Sequence, residues 1–224
     1  MQTFRTPFSR AYWRAATTEL KDPHMWVLAA LLIAVRIALK SVRIPLMENL
    51  YIGVGFLPNA LGSMIYGPAL ALLAGFVSDT LGALLFPVGA YFPPFAVVEI
   101  LGSLLFALFL YRAPVTIFRV AASKLSVNVL CNILLTPLLL AWMQGQAAIL
   151  TSLPRIAKNL LLFPLESVLL VVLLNAMLSP LKRMELIPSQ QARMNLTARH
   201  FIMFALLLVI AIAAVGIYYR IYLA

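Results

Sequence analysis

The chain has 224 residues, of which 63% are hydrophobic and only 11% are charged. Together with a mean hydropathy of +1.00, this composition excludes an ordinary water-soluble domain and indicates an integral membrane protein. The net charge of +10 does not indicate nucleic-acid binding, because the basic residues lie mainly at the ends of apolar segments and form no single patch.

The N-terminal segment, residues 1–24, is basic and aromatic. Its cations and rings are Arg5, Arg10, Arg14 and Lys21 with Phe4, Phe8, Tyr12 and Trp13. This pattern predicts a short amphipathic segment on the membrane surface, with a disordered tail as the alternative. No cleavable signal peptide is expected, since the first apolar stretch follows this segment without a small-residue cleavage site.

Seven apolar segments follow, and each is predicted to be a membrane helix. They span residues 25–41, 52–66, 68–86, 94–111, 115–143, 156–179 and 200–219. The second and third segments are expected to form a tight pair around Tyr66-Gly67-Pro68, because glycine and proline interrupt the apolar run there. Cys131 is the single cysteine of the chain, which excludes a disulfide framework and a cysteine-based metal site.

The distribution of lysine and arginine predicts the orientation. With the N-terminus in the cytoplasm, the cytoplasmic segments carry Arg5, Arg10, Arg14, Lys21, Arg112, Arg119, Lys182, Arg183, Arg193 and Arg199. The other side carries fewer cations, so the positive-inside rule favours a cytoplasmic N-terminus. On the outer side, Phe86–Pro94 contains three prolines, one glycine and three aromatic residues, which predicts a shaped loop that presents rings in a fixed pose.

Ionisable residues at membrane depth are costly and therefore mark candidate functional positions. They are Arg36, Lys40, Asp79, Glu99, Lys124, Lys158 and Glu166. Arg36 and Lys40 share a helix face near the outer end, as do Arg155 and Lys158, so four cations are expected to converge on one external opening. The alternative for each is that its side chain reaches the lipid headgroups.

The carboxylates admit two interpretations. Asp79 is predicted either to pair with Arg36 or Lys124, or to accept hydrogen bonds from a ligand. Glu99 and Glu166 are expected to neutralise basic residues and hold helices in register. The sequence has no phosphate-binding glycine loop and no hydrolase or zinc-protease motif, so we expect no catalytic site and no bound cofactor.

Ala30, Ala34 and Ala38 form one stripe along the first apolar helix. Small residues with this spacing allow helices to pack closely in lipid, and on their own they indicate ordinary helix packing.

The sequence resembles the S components of energy-coupling factor (ECF) transporters, most closely the folate-specific family. The matching stretches are Arg36–Pro45, Ile65–Pro68, Val77–Gly82, Gly89–Pro93, Arg155–Asn159 and Pro164–Glu166. Their order and spacing match the family over roughly residues 30 to 180. The chain departs from the family pattern at Pro94–Glu99, where a small polar run is usual, and in the additional apolar segment 200–219.

The resemblance implies an all-α membrane protein whose residues 25–183 form a six-helix substrate-binding bundle. A polar basic linker, 184–199, and an extra transmembrane helix, 200–219, would complete the chain. The implied function is capture of folate outside a bacterial plasma membrane, with delivery through a transmembrane coupling protein and two ATPases that hydrolyse ATP. The alanine stripe then resembles the family's docking surface for the coupling protein, and similar proteins are thought to topple in the membrane.

A folate ligand suits the candidate residues. Tyr91 and Phe92 are expected to stack on the pterin ring, and Asp79 or Asn128 to accept its amino hydrogens. Arg36, Arg155 and Lys158 are expected to hold the carboxylates, with Lys40, Lys124 and Asn159 completing the site. The alternatives are an S component for another vitamin or small heterocycle, an intramembrane enzyme using Asp79 and Glu99, and a purely structural membrane subunit.

Overall fold

The computed structural model describes residues 3–4, 6–47, 50–86, 92–145, 153–191 and 194, with positions 202, 205, 206, 209 and 213 of the C-terminal segment. Its α-helices are α1 (Arg10–Glu19), α2 (Pro23–Ser41), α3 (Phe56–Leu85), α4 (Ala96–Leu110), α5 (Ile117–Ser126), α6 (Thr136–Gln144) and α7 (Leu153–Arg183). A 3₁₀ turn, Pro93–Phe95, precedes α4, and a π-helical segment, Val127–Leu135, joins α5 to α6.

Five helical stretches of the described chain are long and apolar enough to cross a membrane. They are Pro23–Lys40, Phe56–Leu85, Pro93–Leu110, Ile117–Met143 and Lys158–Arg183. Their exposed surface is itself apolar, as illustrated by Leu84, Leu138 and Val172, which are 72%, 62% and 57% exposed. The prediction of an all-α integral membrane protein is therefore confirmed.

Helix α3 reverses direction at Gly67, whose φ of 74° is outside the helical region. In a continuous helix Asn59 and Gly75 would lie about 24 Å apart. Yet both residues contact the same atom of α4. Ser103 Oγ donates to Asn59 Oδ1 at 2.8 Å, and a Cβ on Gly75 would lie 3.0 Å from Ser103 Oγ. The two arms of α3 are thus antiparallel, which confirms the tight pair predicted around Tyr66-Gly67-Pro68.

Glycine is required at this turn for two reasons. A positive φ is unfavourable for residues with a side chain, and a Cβ at Gly67 would lie 2.8 Å from the ring of Tyr111. Counting each arm of α3 as one helix, and α5 to α6 as one, the described residues form the six-helix bundle that the resemblance implies.

A short β-hairpin differs from the prediction. Strands β1 (Arg43–Met47) and β2 (Leu50–Gly53) pair antiparallel, with Ile44 opposite Ile52 and an irregularity between Pro45 and Met47. The second apolar segment was predicted to be helical from residue 52, but α3 begins only at Phe56. Hydropathy alone does not separate a short apolar strand from the first turn of a helix, which explains the error.

The π-helical segment lies where α5 enters the middle of the bundle. Its wider turns are evident where the backbone N–H of Thr136 donates to the carbonyl of Cys131, five residues back. The Thr136 hydroxyl donates to the same carbonyl at 2.8 Å. π-Helical turns within α-helices are frequent at functional sites. Here the segment contains Asn128 and Asn132.

The two ends of the bundle differ. At one end, called the α1 end, α1 packs on the turn at Gly67 and on the end of α4, through the buried side chains of Tyr12 and Ala16. Glu19 accepts a bond from Arg112 at 2.7 Å, and Gln191 donates to the carbonyl of Leu110 at 2.7 Å. The opposite end, called the hairpin end, carries β1 and β2.

The extra C-terminal helix remains a prediction. The five described positions in segment 200–219 are helical and exposed, and the other residues of the segment lie outside the described part of the chain. The division at residues 24, 183 and 199 also stays a prediction.

Candidate functional site

A buried arginine organises the hairpin half of the bundle. Arg36, 4% exposed, donates from Nη1 to Asn59 Oδ1 at 3.0 Å and to Ser103 Oγ at 3.2 Å. Its second terminal nitrogen, Nη2, forms an ion pair with Glu99. The guanidinium group thereby ties α2 to the first arm of α3 and to α4.

Lys40, one helical turn further along α2, bridges two carboxylates. Its ammonium group lies 3.4 Å from Asp79 Oδ1 and 3.2 Å from Glu99 Oε1. The aliphatic stem of Lys40 lies close to two glycines. A Cβ added to Gly55 would lie 3.6 Å from this stem, and one added to Gly82 would lie 3.4 Å from it. Arg36, Lys40, Asp79, Glu99, Asn59 and Ser103 form what we call the α2 cluster.

A second polar cluster lies between the π-helical segment and α7. Lys124, 3% exposed, pairs with Glu166 Oε2 at 3.1 Å, and its ammonium group lies 4.0 Å from the centroid of the Phe56 ring. Asn128, 1% exposed, donates to the same carboxylate oxygen at 3.2 Å. Glu166 is thus held by a cation and an amide in an apolar surrounding.

Three asparagines extend this second cluster toward the hairpin end. Asn132 Nδ2 lies 3.0 Å from Asn159 Oδ1 and 3.3 Å from Asn128 Oδ1. Asn128 Nδ2 also lies 3.2 Å from the backbone carbonyl of Asn159. Lys124, Asn128, Asn132, Asn159 and Glu166 form what we call the amide cluster, a row of hydrogen-bond donors and acceptors.

The two clusters are close neighbours. Phe56, whose ring covers Lys124, follows Gly55, which lies against Lys40. A Cβ on Gly102 of α4 would lie 3.9 Å from Cys131 Sγ in the π-helical segment. The α2 cluster and the amide cluster therefore flank one region in the hairpin half of the bundle.

The cations of both clusters already have carboxylate partners within the chain. Arg36 and Lys40 contact Glu99 and Asp79, and Lys124 contacts Glu166. Three positive and three negative charges balance, which removes the large penalty of burying any of them alone. An anionic ligand would have to compete with these carboxylates or bind other cations.

The aromatic residues near the hairpin end are described in part. Phe92 contacts Phe95 and Trp142 edge to face, with ring centroids 5.7 Å and 5.4 Å apart. Tyr91, predicted to stack on a ligand, lies outside the described residues. Arg155 lies in the first turns of α7, but its side chain is outside the described part of the structure.

The two clusters contain contacts and polar side chains that the sequence analysis did not predict. Lys40, and not Arg36 or Lys124, is the partner of Asp79. Asn59, Ser103 and Asn132 were not singled out, because uncharged polar residues in an apolar helix carry a weaker signal than ionisable ones. Glu99 and Glu166 do neutralise basic residues, as expected.

The alanine stripe lies on the outer face of α2. Ala30, Ala34 and Ala38 are all exposed, whereas Ala29 and Ile37 are buried against the bundle. Small side chains on an exposed helix face permit a close approach by another helix in the membrane.

The comparisons agree with this architecture. The sequence model of the family described as "ECF-type riboflavin transporter, S component" matches residues 22–179. Among solved structures, one described as "Crystal structure of FolT bound with folic acid" is similar, with 34% sequence identity and a TM-score of 0.56. The match covers 63% of this chain and 86% of that chain. The comparison with curated proteins gives no match.

Proposed function

The chain belongs to the S components of ECF-type transporters, and we propose that it captures folate or a reduced folate for import across the membrane. As a member of this family it is a substrate-binding subunit of a vitamin transporter and not an enzyme. The alternative of a carboxylate-pair enzyme also lacks geometric support, because Asp79 and Glu99 are both occupied by Lys40.

The observation that carries the proposal is the amide cluster. A pterin ring presents alternating donors and acceptors along one edge, and a row of asparagine amides beside a carboxylate complements such an edge. Glu166 and the Asn128 amide supply an acceptor and a donor that are buried and held in place. Burial makes these bonds selective, since a ligand that leaves them unpaired incurs a desolvation penalty.

Folate and riboflavin can be distinguished by charge. Folate carries two carboxylates on its glutamate tail, whereas riboflavin has none. We assign the tail to Arg155 and Lys158 at the start of α7, because both cations lie within four residues of Asn159 of the amide cluster, with Arg36 and Lys40 as secondary partners. Asn159, one residue beyond Lys158, belongs to the amide cluster. The ring would therefore bind beside Asn159, and the tail would bind nearer to the first residues of α7.

The ring itself is proposed to stack on aromatic side chains at the hairpin end. Phe92 is held there by Phe95 and Trp142, and Tyr91 precedes it in the chain. Asp79 remains a candidate acceptor for amino hydrogens if Lys40 moves to a ligand carboxylate. The prediction that the chain uses no cofactor of its own stays a prediction.

Transport is proposed to require a coupling module, as in other members of the family. We assign docking of the transmembrane coupling protein to Ala30, Ala34 and Ala38, and ATP hydrolysis to two partner ATPases. The proposed location is a bacterial plasma membrane, with the α1 end in the cytoplasm and the hairpin end outside, in agreement with the positive-inside prediction.

The proposal is tested by titrating the purified full-length chain with folic acid and, separately, with riboflavin, following tryptophan fluorescence. We expect stoichiometric binding of folic acid and none of riboflavin. Asn128→Leu should weaken folic acid binding at least about tenfold, since one good buried hydrogen bond to a ligand accounts for about 1.4 kcal/mol.

The matched control is Asn175→Leu, an asparagine in the α1 half of α7 outside both clusters. It should bind folic acid like the parent chain. Binding of riboflavin in place of folic acid would retain the transporter class and reject folate as the ligand. Binding of neither vitamin, and of no other heterocycle, would reject the proposed site.

A further inference from the structure

Helix α1 has two opposite faces of different chemistry. Tyr12, Ala16 and Glu19 are buried against the bundle, at 1%, 0% and 6% exposure. The other face carries Arg10 and Arg14, both exposed, together with Trp13, which is 40% exposed. Phe8, 91% exposed, lies just before the helix.

The position of α1 is beside the ends of the membrane-crossing helices. Tyr12 donates to the carbonyl of Ala107 at 3.0 Å, and Tyr111 donates to Glu19 at 3.2 Å, so both halves of α1 contact the end of α4. The membrane-crossing part of α2 begins at Pro23, four residues after α1 ends. Helix α1 therefore packs beside the end of α4, and with ten residues it is too short to cross the membrane.

The outer face is strongly positive. The single acidic residue of α1 is Glu19, which is buried and paired with Arg112. Within the described residues, neither Arg10 nor Arg14 has a carboxylate partner. Phe8, Arg10, Trp13, Arg14 and Thr17 line an open depression on this face.

We propose that this face of α1 binds the phosphate-bearing headgroups of anionic phospholipids. Arginine forms bidentate hydrogen bonds with phosphate oxygens, and the indole ring of tryptophan favours the headgroup level. Arg10 and Arg14, one turn apart, would contact headgroups while Phe8 and Trp13 enter the adjoining acyl region. Because Glu19 joins α1 to Arg112, bound lipid would hold the whole α1 end at the membrane surface.

The test uses Trp13 as a reporter in the full-length chain. Trp26→Phe and Trp142→Phe leave Trp13 as the single tryptophan. The protein is reconstituted in vesicles that contain both phosphatidylglycerol and phosphatidylcholine, with brominated acyl chains on one of the two lipids at a time. We expect stronger quenching by brominated phosphatidylglycerol and a preference that decreases with added salt. Arg10→Gln with Arg14→Gln should reduce the preference by up to about fivefold for each arginine.

The matched control is Lys182→Gln with Arg183→Gln, which removes two exposed cations at the same end of the bundle. It should retain the preference for phosphatidylglycerol at Trp13. Equal quenching by the two lipids in the parent chain would overturn the proposal. Weak quenching by both would also overturn it, because Trp13 would then lie away from the acyl chains.

Discussion

Lys124 Nζ lies 3.1 Å from Glu166 Oε2, and both side chains are withdrawn from the surface, at 4% and 12% exposure. The pair joins α5 to α7 inside the bundle. A buried ion pair adds little net stability when it is compared with apolar packing. Each partner nevertheless offsets the desolvation penalty of burying the other charge. Because the two partners can be removed singly or together, the structural role of the pair can be tested separately from its proposed role in ligand binding.

Removal of one partner should be far more damaging than removal of both. Glu166→Gln leaves Lys124 buried without a counter-charge and should destabilise the protein by about 3–5 kcal/mol. Lys124→Met combined with Glu166→Leu should recover most of that loss. Thermal unfolding of the purified variants in detergent measures the difference.

The double variant also tests the ligand site. If Glu166 holds the ligand, the double variant should be folded but should bind folic acid at least about tenfold more weakly than the parent. A double variant that is both stable and fully competent in binding would show that the pair is purely structural.

The turn of α3 should not tolerate a side chain. Gly67→Ala would place a Cβ 2.8 Å from the Tyr111 ring at a residue with a φ of 74°. We expect destabilisation of about 1–3 kcal/mol from the backbone strain alone, with a further loss from the contact. Gly53→Ala is the control, because a Cβ there meets no atom within 4 Å. Equal unfolding temperatures for the two variants would contradict the reversal at Gly67.

The attachment of α1 should depend on Glu19. Burial and the adjacent Glu19 carboxylate raise the pKa of the Tyr111 phenol well above its usual value, so the phenol donates to Glu19 in alkaline solution as well as at neutral pH. Glu19→Gln removes the charge that Arg112 contacts. We expect faster amide hydrogen exchange throughout α1, with little change in the membrane helices.

Glu185→Gln is the matched control for this experiment, because Glu185 is an exposed carboxylate at the end of α7. Its exchange pattern in α1 should equal that of the parent chain. Unchanged protection of α1 in Glu19→Gln would show that the aromatic contacts of Tyr12 hold the helix without the ion pair.

The alanine stripe should be needed for transport but not for binding. Ala34→Trp adds a bulky ring to an exposed face and should prevent close approach of the coupling protein. We expect normal folic acid binding by the isolated chain and loss of uptake in cells that carry the complete transporter. Leu138→Trp, at an exposed position on α6, should support uptake, and loss of uptake in both variants would argue against a specific docking surface.

The sequence alone determined the membrane class, the approximate positions of the crossing segments between residues 25 and 183, and the turn at Gly67-Pro68. These features depend on local properties, namely the length of each apolar run and the backbone preferences of glycine and proline. The motifs from Arg36 to Glu166 also sufficed to identify the S-component family, which the comparisons confirm.

The tertiary structure alone decided which charges meet. Asp79 pairs with Lys40, which lies 39 residues away in the chain, and Lys124 pairs with Glu166. Spacing along one helix fixes which residues share a face, but the rotation of that face toward a neighbour depends on the packing of the whole bundle. The amide cluster and the docking of α1 on Tyr111 required the structure for the same reason. The β-hairpin required it because hydropathy does not separate a short apolar strand from the start of a helix.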